Sequence, residues 1–487
     1  MKKYILLIIS IMTALNLMGW DWVKKAGGTQ LDWPWSICAD ENENCYLTGS
    51  FQGDVSFGNQ QFTSTSPSSD LFISKMDENG NFIWTLQGNS VIGAVGMSID
   101  YHNDFLYVTG YFVDSLYVDG YTLIGNGAWD TFVLKCTTDG HIVNALSFGG
   151  SQSEIGYGLS TNGQKVFVTG WYNSDMNVGG QNVVTAGGSD IYIITYDMDL
   201  NFENMITGNG PGVNYAYEID SDMTHFYTIG SSGGELLFNN TVMETTGGGY
   251  LYAKNLSSDS QNYKVFPNAL IMNAKVNENN ELFIGGTFSN TAIFDDYQIT
   301  SHGEQSDFFL AKLNSSFEVE WVKGYGSNMI DKGKDLTTVG NNAWLIANFN
   351  DTLYVENETF ISQGAENIIL IEFDSNGNIL HTYPAGGMAT TISSGLCTSP
   401  NGTLYATGWF GGTSYFGENS VSSSNEYDYD IFIAKLGQLT PADDQLVCQQ
   451  KDEWHIYPNP VRNTQHGEFS IDFSKSQKGQ KTISIYN

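Results

Sequence analysis

The sequence predicts an all-β fold: a seven-bladed β-propeller of four-stranded blades, closed by its own N-terminal strand. Three observations predict it. A six-residue, strand-like segment recurs seven times, as DLFISK at Asp70, DTFVLK at Asp130, DIYIIT at Asp190, GYLYAK at Gly249, DFFLAK at Asp307, NIILIE at Asn367 and DIFIAK at Asp430. Aligned on their last residues (Lys75, Lys135, Thr195, Lys254, Lys312, Glu372 and Lys435), the copies stand 60, 60, 59, 58, 60 and 63 residues apart, and a fixed period of this length marks a solenoid or propeller. The two ends of the array are also complementary. The last copy has no strand after it, whereas the chain past its leader opens on WDWVKKAGG at Trp20, which matches WVKGYGS at Trp321 and has no earlier strands before it.

Each period reads as four strands. Strand A is short, as in SICAD at Ser36 and GMSID at Gly96. Strand B is aromatic or aliphatic and ends in Thr-Gly or a variant, as in CYLTGSF at Cys45, FLYVTGYF at Phe105 and LYATGWF at Leu404. Strand C is the six-residue segment itself. Strand D follows a turn, as in FIWTLQG at Phe82 and VEWVKGYG at Val319. The C–D turn is written DENGN at Asp77 and DSNGN at Asp374, placing Asn-Gly where a residue must reach positive φ. DENGN also resembles half of a calcium loop, but the full spacing of that loop is absent and turn chemistry accounts for the residues. Strands B and C are apolar on both alternating faces, as Leu71/Ile73 and Phe72/Met76 show, so they need cover on both sides. Blades stacked in a ring supply it, and an N-terminal strand completing blade seven leaves that blade without an open edge.

Composition agrees. Aromatic residues make up 14% of the chain, with 54 glycines and nine prolines, which suits short strands and tight turns. The formal charge is −33 with 20 Lys plus Arg, so nucleic acid and anionic membrane surfaces are repelled. Acidity of this kind keeps an exported protein soluble; attraction of cations or basic partners is the sharper reading. Residues 1–19 join two lysines to an apolar run and read as a secretory signal peptide, a helical anchor being the alternative, and no transmembrane span is expected in the mature chain. The five cysteines, Cys38, Cys45, Cys136, Cys397 and Cys448, form no regular framework. Cys38 and Cys45 flank a hairpin turn and would either pair across it or remain buried thiols.

The repeat W-x-K-x-x-G-G, Y-x-T-G-S-F and D-x-F-x-x-K-x-x-x-x-G resembles the SBBP-type β-propeller repeats of exported bacterial proteins, over residues 20–437. Departures fall at Thr195 and Glu372 in place of the Lys, Gly249 and Asn367 in place of the Asp, and Asn348 in place of the strand-B Gly, so blades three, four and six are expected to deviate. After a polar linker at 438–453, residues 454–487 begin a new strand pattern. Its Tyr457, Pro458, Asn459 and Pro460 resemble the opening of the type A C-terminal sorting domain of the Bacteroidota type IX secretion system. That resemblance implies a small β-sandwich, here partial, a type IX translocon as partner, and a product that is secreted or held at the outer cell surface.

The strand-C Lys recurs in five of seven copies although Lys is scarce, which points to a structural pairing with a carboxylate such as Asp40 or Asp100, or with free carbonyls. The D–A and B–C loops emerge at one end of the ring, and there the chain carries Trp33, Trp35, Trp129, Tyr157, Tyr215 and Tyr217, with Asp32, Glu154 and Glu218 nearby. These rings would stack on a sugar or pack between blades. No catalytic or metal motif is present: no H-E-x-x-H, no G-x-S-x-G, no phosphate loop, and no cofactor is implied. The sequence reading is a monomeric, non-enzymatic binding and display module for glycan, protein or matrix. A carbohydrate-active hydrolase or lyase, with Glu154 and Glu218 as its pair, is the alternative.

Overall fold

A computed structural model describes residues 19–238, 241–243, 248–437, 469–471 and 483–485. The expected leader up to residue 18, the linker, Cys448 and Tyr457–Pro460 lie outside the described residues. Residues 438–487 form a unit of their own, in which Phe469–Ile471 pairs antiparallel with Ile483–Ile485.

Residues 20–437 are a seven-bladed β-propeller. Blade one is built from strand A at Asp32–Ala39, B at Cys45–Phe51, C at Asp70–Met76 and D at Phe82–Ser90, hydrogen-bonded in that order. The same order recurs around the ring. Blade seven takes A from Thr391–Thr398, B from Leu404–Phe410 and C from Asp430–Leu436, and its D strand is Trp20–Gly28. Trp22 stands opposite Lys435 and Ala26 opposite Ile431, so the two ends of the propeller are joined as the sequence requires.

The four-strand expectation is incomplete. Every period also inserts a two-stranded hairpin between B and C, for example Asp54–Phe57 with Gln60–Thr63 and Ser115–Val118 with Tyr121–Ile124. Four of these hairpins add to the outer edge of the preceding blade's D strand, as where Phe57 pairs with Ala26. Their strands are only three or four residues long around Gly, Asn or Asp, which made them read as loop.

Seven apolar clusters lie between successive blades. Strand C shows how one strand serves two of them: Leu71 and Ile73 pack against blade two, Phe72 and Met76 against blade seven. Period-two alternation sends neighbours to opposite faces, and here both faces are interior.

The Thr-Gly signature has two separate causes. The Thr48 hydroxyl donates to Phe72 O at 2.9 Å, and Thr109, Thr169 and Thr407 do the same in their blades. The glycine lies under strand A, where a Cβ on Gly49 would come within 2.0 Å of Trp33 O and one on Gly110 within 2.0 Å of Val95 O. In blade six the residue in this column is Ala347, opposite Gly333, and not Asn348; the glycine has moved to the facing strand.

The recurring Lys and the strand-D Trp meet a common acceptor. Lys75 and Trp84 both donate to Thr138 O, Lys312 and Trp321 to Ser375 O, and Lys435 and Trp22 to Glu78 O. Each acceptor is in the C–D turn of the next blade. Lys135 bonds Asp199 Oδ1 at 2.7 Å, while Asn144, in the Trp column, donates to Asp199 O. Carbonyls and carboxylates therefore hold these ammonium groups, but Asp40 and Asp100 do not. The Trp ring covers the turn glycine: a Cβ on Gly140 would stand 2.9 Å from Trp84, at φ +88°. Asp77 closes its turn by accepting from Asn79 N, Asn81 N and Asn81 Nδ2.

Deviation is concentrated in blade four. Six blades carry a register shift between C and D next to the Lys column, and blade four pairs straight through. Tyr250 stands opposite Gly230, so Ala253 occupies the Lys column and Lys254 falls one residue beyond it, bonding Ser258 O of its own turn. Blade three keeps the common register. Blade six keeps it too, with Glu372 and His381 (2.7 Å apart) in place of the Lys and Trp.

The four described cysteines are free and buried. Cys45 stands opposite Ala39, not Cys38, and adjacent positions face opposite sides, so Cys38 packs toward blade two and Cys45 toward blade seven.

Candidate ligand site at the propeller axis

Strand A is the innermost strand of every blade, and in each it carries one more residue than strand B beside it. The extra residues are Trp35, Met97, Tyr157, Tyr217, Met272, Lys334 and Ser394. A bulge re-aims its side chain, and these seven together line an axial cavity of about 150 Å³ near the D–A and B–C loops. The strand-B glycines described above follow from the same bulge, because it brings the strand-A carbonyl close.

Below this ring the channel widens into a cavity of about 580 Å³ that reaches the A–B turns. Strand A has no strand on its inner side, so its inward amides need other acceptors. The preceding blade supplies them. Ile99 N donates to Ser36 Oγ, Leu159 N to Ser98 Oγ, Thr161 N to Asp100, Ala274 N to Glu218, Val276 N to Asp220 and Leu396 N to Asp335.

Four of these acceptors are carboxylates; Asp100, Glu218 and Asp335 line the channel together with Lys275, whose Nζ is 3.1 Å from the buried Asp220 Oδ1. Burial raises the carboxyl of Glu218 well above the usual range, aided by the neighbouring charges of Asp335 and Asp220 and opposed by Lys275. Burial likewise lifts Asp335 to about 6 and raises Asp100. Burial works against the charged form of Lys275, but Asp220, Glu218 and Asp100 outweigh it and raise its pKa. Lys334 shifts the other way: burial first and then Lys332 lower its pKa, and Glu366 and Asp335 oppose them without prevailing.

Of the six aromatic residues expected at the loop face, Trp35, Tyr157 and Tyr217 line the axial cavity. Tyr157 meets Tyr217 edge-on at 6.1 Å, and Tyr215 stacks on Tyr217 at 6.1 Å. Trp129 lies on Tyr111 and stays 39% exposed. Trp33 is half-buried on strand A and is not on the cavity wall. Sequence reasoning missed three rings of strand B directly after the glycine column: Tyr111, Trp171 against Tyr215, and Trp409 against Trp35. It also missed Asp335, Lys275 and Lys334. Aligning the strand-A copies on the bulge column would have brought out the axial ring.

The pair Glu154 and Glu218 is not brought together as a catalytic dyad. Glu154 is fully buried at the start of strand A, accepting from Gly150 N at 2.7 Å and Ser174 Oγ at 2.8 Å. Asp32 holds the same position in blade one, accepting from Gly28 N and Gln52 N, and burial pushes its carboxyl up to about 8. Both fasten loop ends; only Glu218 faces the channel.

No protein-family model matches the chain, and no curated protein matches it. Among solved structures it is similar to the RRP9 WD40 repeats at 10% identity and TM-score 0.48, over 86% of this chain and 99% of that one. It is also similar to a DUF4221 family member from Bacteroides vulgatus (10% identity, TM-score 0.34, 87% and 98% coverage) and to a subtype N10 neuraminidase-like protein of A/little yellow-shouldered bat/Guatemala (9%, 0.36, 87% and 100%). Likenesses this distant carry no argument about activity.

Proposed function

We propose that this protein is an exported, non-enzymatic binding and display module that engages glycan, protein or matrix through the face bearing the D–A and B–C loops. The observation that carries the reading is the group of half-exposed rings around the axis, Trp35, Tyr111, Tyr157, Trp171, Tyr215, Tyr217 and Trp409. Partly exposed aromatic rings at a channel mouth offer large, rigid contact area at little entropic cost. The channel carboxylates are meanwhile engaged by backbone amides of the next blade, which is a structural use. Export by type IX secretion, ending in the medium or on the outer surface, rests on the leader-like residues 1–19 and on Tyr457–Pro460.

One observation favours the carbohydrate-active alternative: Glu218 and Asp335 line the same axial cavity, and both carboxyls are raised by burial, a property that catalytic acids share. The test is a glycan and matrix-protein array probed with the full chain, run beside a hydrolysis screen of the same glycans. Retention without product supports the binding module. Product formation that disappears in Glu218→Gln and Asp335→Asn establishes the enzyme. For export, alanine at Tyr457, Pro458, Asn459 and Pro460 should leave the protein inside the cell envelope, and unchanged delivery would refute that part.

A further inference from the structure

The axial cavity has one feature that packing alone does not explain. Trp35 Nε1 is buried without a hydrogen-bond partner although the residue lines the cavity; the unpartnered Asn273 Oδ1 instead lies toward Gly285 and Leu336, between blades. Trp20 and Trp344 also leave their Nε1 unpartnered, but both lie inside an apolar cluster between blades, whereas the Trp35 indole is on a cavity wall. An unmade bond at a buried donor is costly, and a ligand oxygen that accepts from the indole relieves it. Around the indole stand the rings of Tyr157 and Tyr217 and the carboxyl groups of Glu218 and Asp335.

We propose that this cavity binds one ring of an uncharged carbohydrate. Resting on the binding-module reading above, the assignment follows from three matches. A pyranose presents an apolar C–H face to Tyr157 and Tyr217, and aromatic rings favour such contact when water is excluded. Its hydroxyls act as acceptor to Trp35 Nε1 and as donor to Glu218 and Asp335. About 150 Å³ lies at the ring of strand-A bulges and opens below into the cavity of about 580 Å³, so a ring seated against Tyr157 and Tyr217 has room on the channel side. Acidic sugars are disfavoured by the formal charge of −33. A polyamine suits the carboxyl groups and the aromatic faces, but it offers no acceptor to the indole donor and meets Lys334 and Lys275 on the walls.

The test is a tryptophan-fluorescence titration of the full chain with D-galactose, D-mannose, D-xylose, N-acetyl-D-glucosamine, D-glucuronate and spermidine. At least one neutral sugar should bind, with glucuronate and spermidine at least tenfold weaker. Trp35→Phe removes the indole donor while keeping an aromatic ring, and should weaken that sugar roughly fivefold, the effect of one hydrogen bond. Tyr157→Ala should weaken it about tenfold. Tyr415→Ala on the outer hairpin of blade seven, 54% exposed, should leave affinity unchanged. Unaltered melting of Trp35→Phe shows that the loss is local. Equal or tighter binding of glucuronate or spermidine overturns the assignment, as does a neutral sugar indifferent to both cavity variants. If those variants abolish nothing while array binding of the full chain persists, the axial site falls and the binding-module reading stands. If the array is blank as well, both fall.

Discussion

Replacing Lys275 with methionine should destabilise the propeller in a pH-dependent way. The Nζ is 3.1 Å from Asp220 Oδ1, which at an effective dielectric of 20 corresponds to roughly 5 kcal/mol of attraction. The Lys275 side chain is 38% exposed to the channel, so screening reduces the net loss to about 2–3 kcal/mol. For a domain of this size the unfolding entropy is on the order of 0.9 kcal/mol/K, which converts that loss to a melting shift of about 3 °C at pH 8. The carboxyls of Glu218, Asp335 and Asp100 already sit above their ordinary values in the folded state, and losing the cation pushes them higher. Groups with raised folded pKa values stabilise fully at low pH and lose that contribution as pH rises through the folded value. The gap between variant and wild type should therefore be wider at pH 8 than at pH 4.5, the increment opening as pH rises through about 6, where Asp335 titrates. Differential scanning calorimetry of both proteins across that range is the assay. A gap of equal size at pH 4.5 and pH 8 would refute the claim that the channel carboxylates are what Lys275 offsets.

Three other outcomes are expected. Asp32→Asn should flatten the decline of stability between pH 4 and 8, because the folded carboxyl titrates at about 8 against an ordinary 3.8; the upper bound is on the order of 5 kcal/mol, read from denaturant midpoints at each pH. Gly110→Ala should cost more than about 3 kcal/mol or prevent folding, since its Cβ would sit 2.0 Å from Val95 O, and expression with circular dichroism would show it. Removing residues Trp20–Gly28 should leave blade seven without its outer strand and expose the edge of Asp430–Leu436, giving association detectable by light scattering; a monodisperse truncation would contradict the closure.

Much of the architecture was legible because it repeats. The spacing of the strand-C copies and the displaced WDWVKKAGG depend only on chain order, and a strand missing at one end and spare at the other has one arrangement that pairs both. Asp77 with Asn79, Gly80 and Asn81 is likewise local chemistry, readable without a fold. The hairpins between B and C were not legible, because three- and four-residue strands such as Met176–Val178 and Gln181–Val183 carry too little alternation to be told from loop.

The sequence by itself determined seven repeats, two-sided burial of strands B and C, the Asn-Gly turns and the meeting of the chain ends, since each is a property of residue order and period. Only the tertiary structure decided what stands at the axis. The extra residue in strand A is visible solely against strand B, and it turns Trp35, Tyr157 and Tyr217 from loop aromatics into one wall. Asp100, Glu218, Lys275 and Asp335 line the channel from four blades, more than two hundred positions apart at the extremes. Their mutual electrostatics exist because the ring brings one strand from every blade to a shared channel, and no pattern within a single repeat records it.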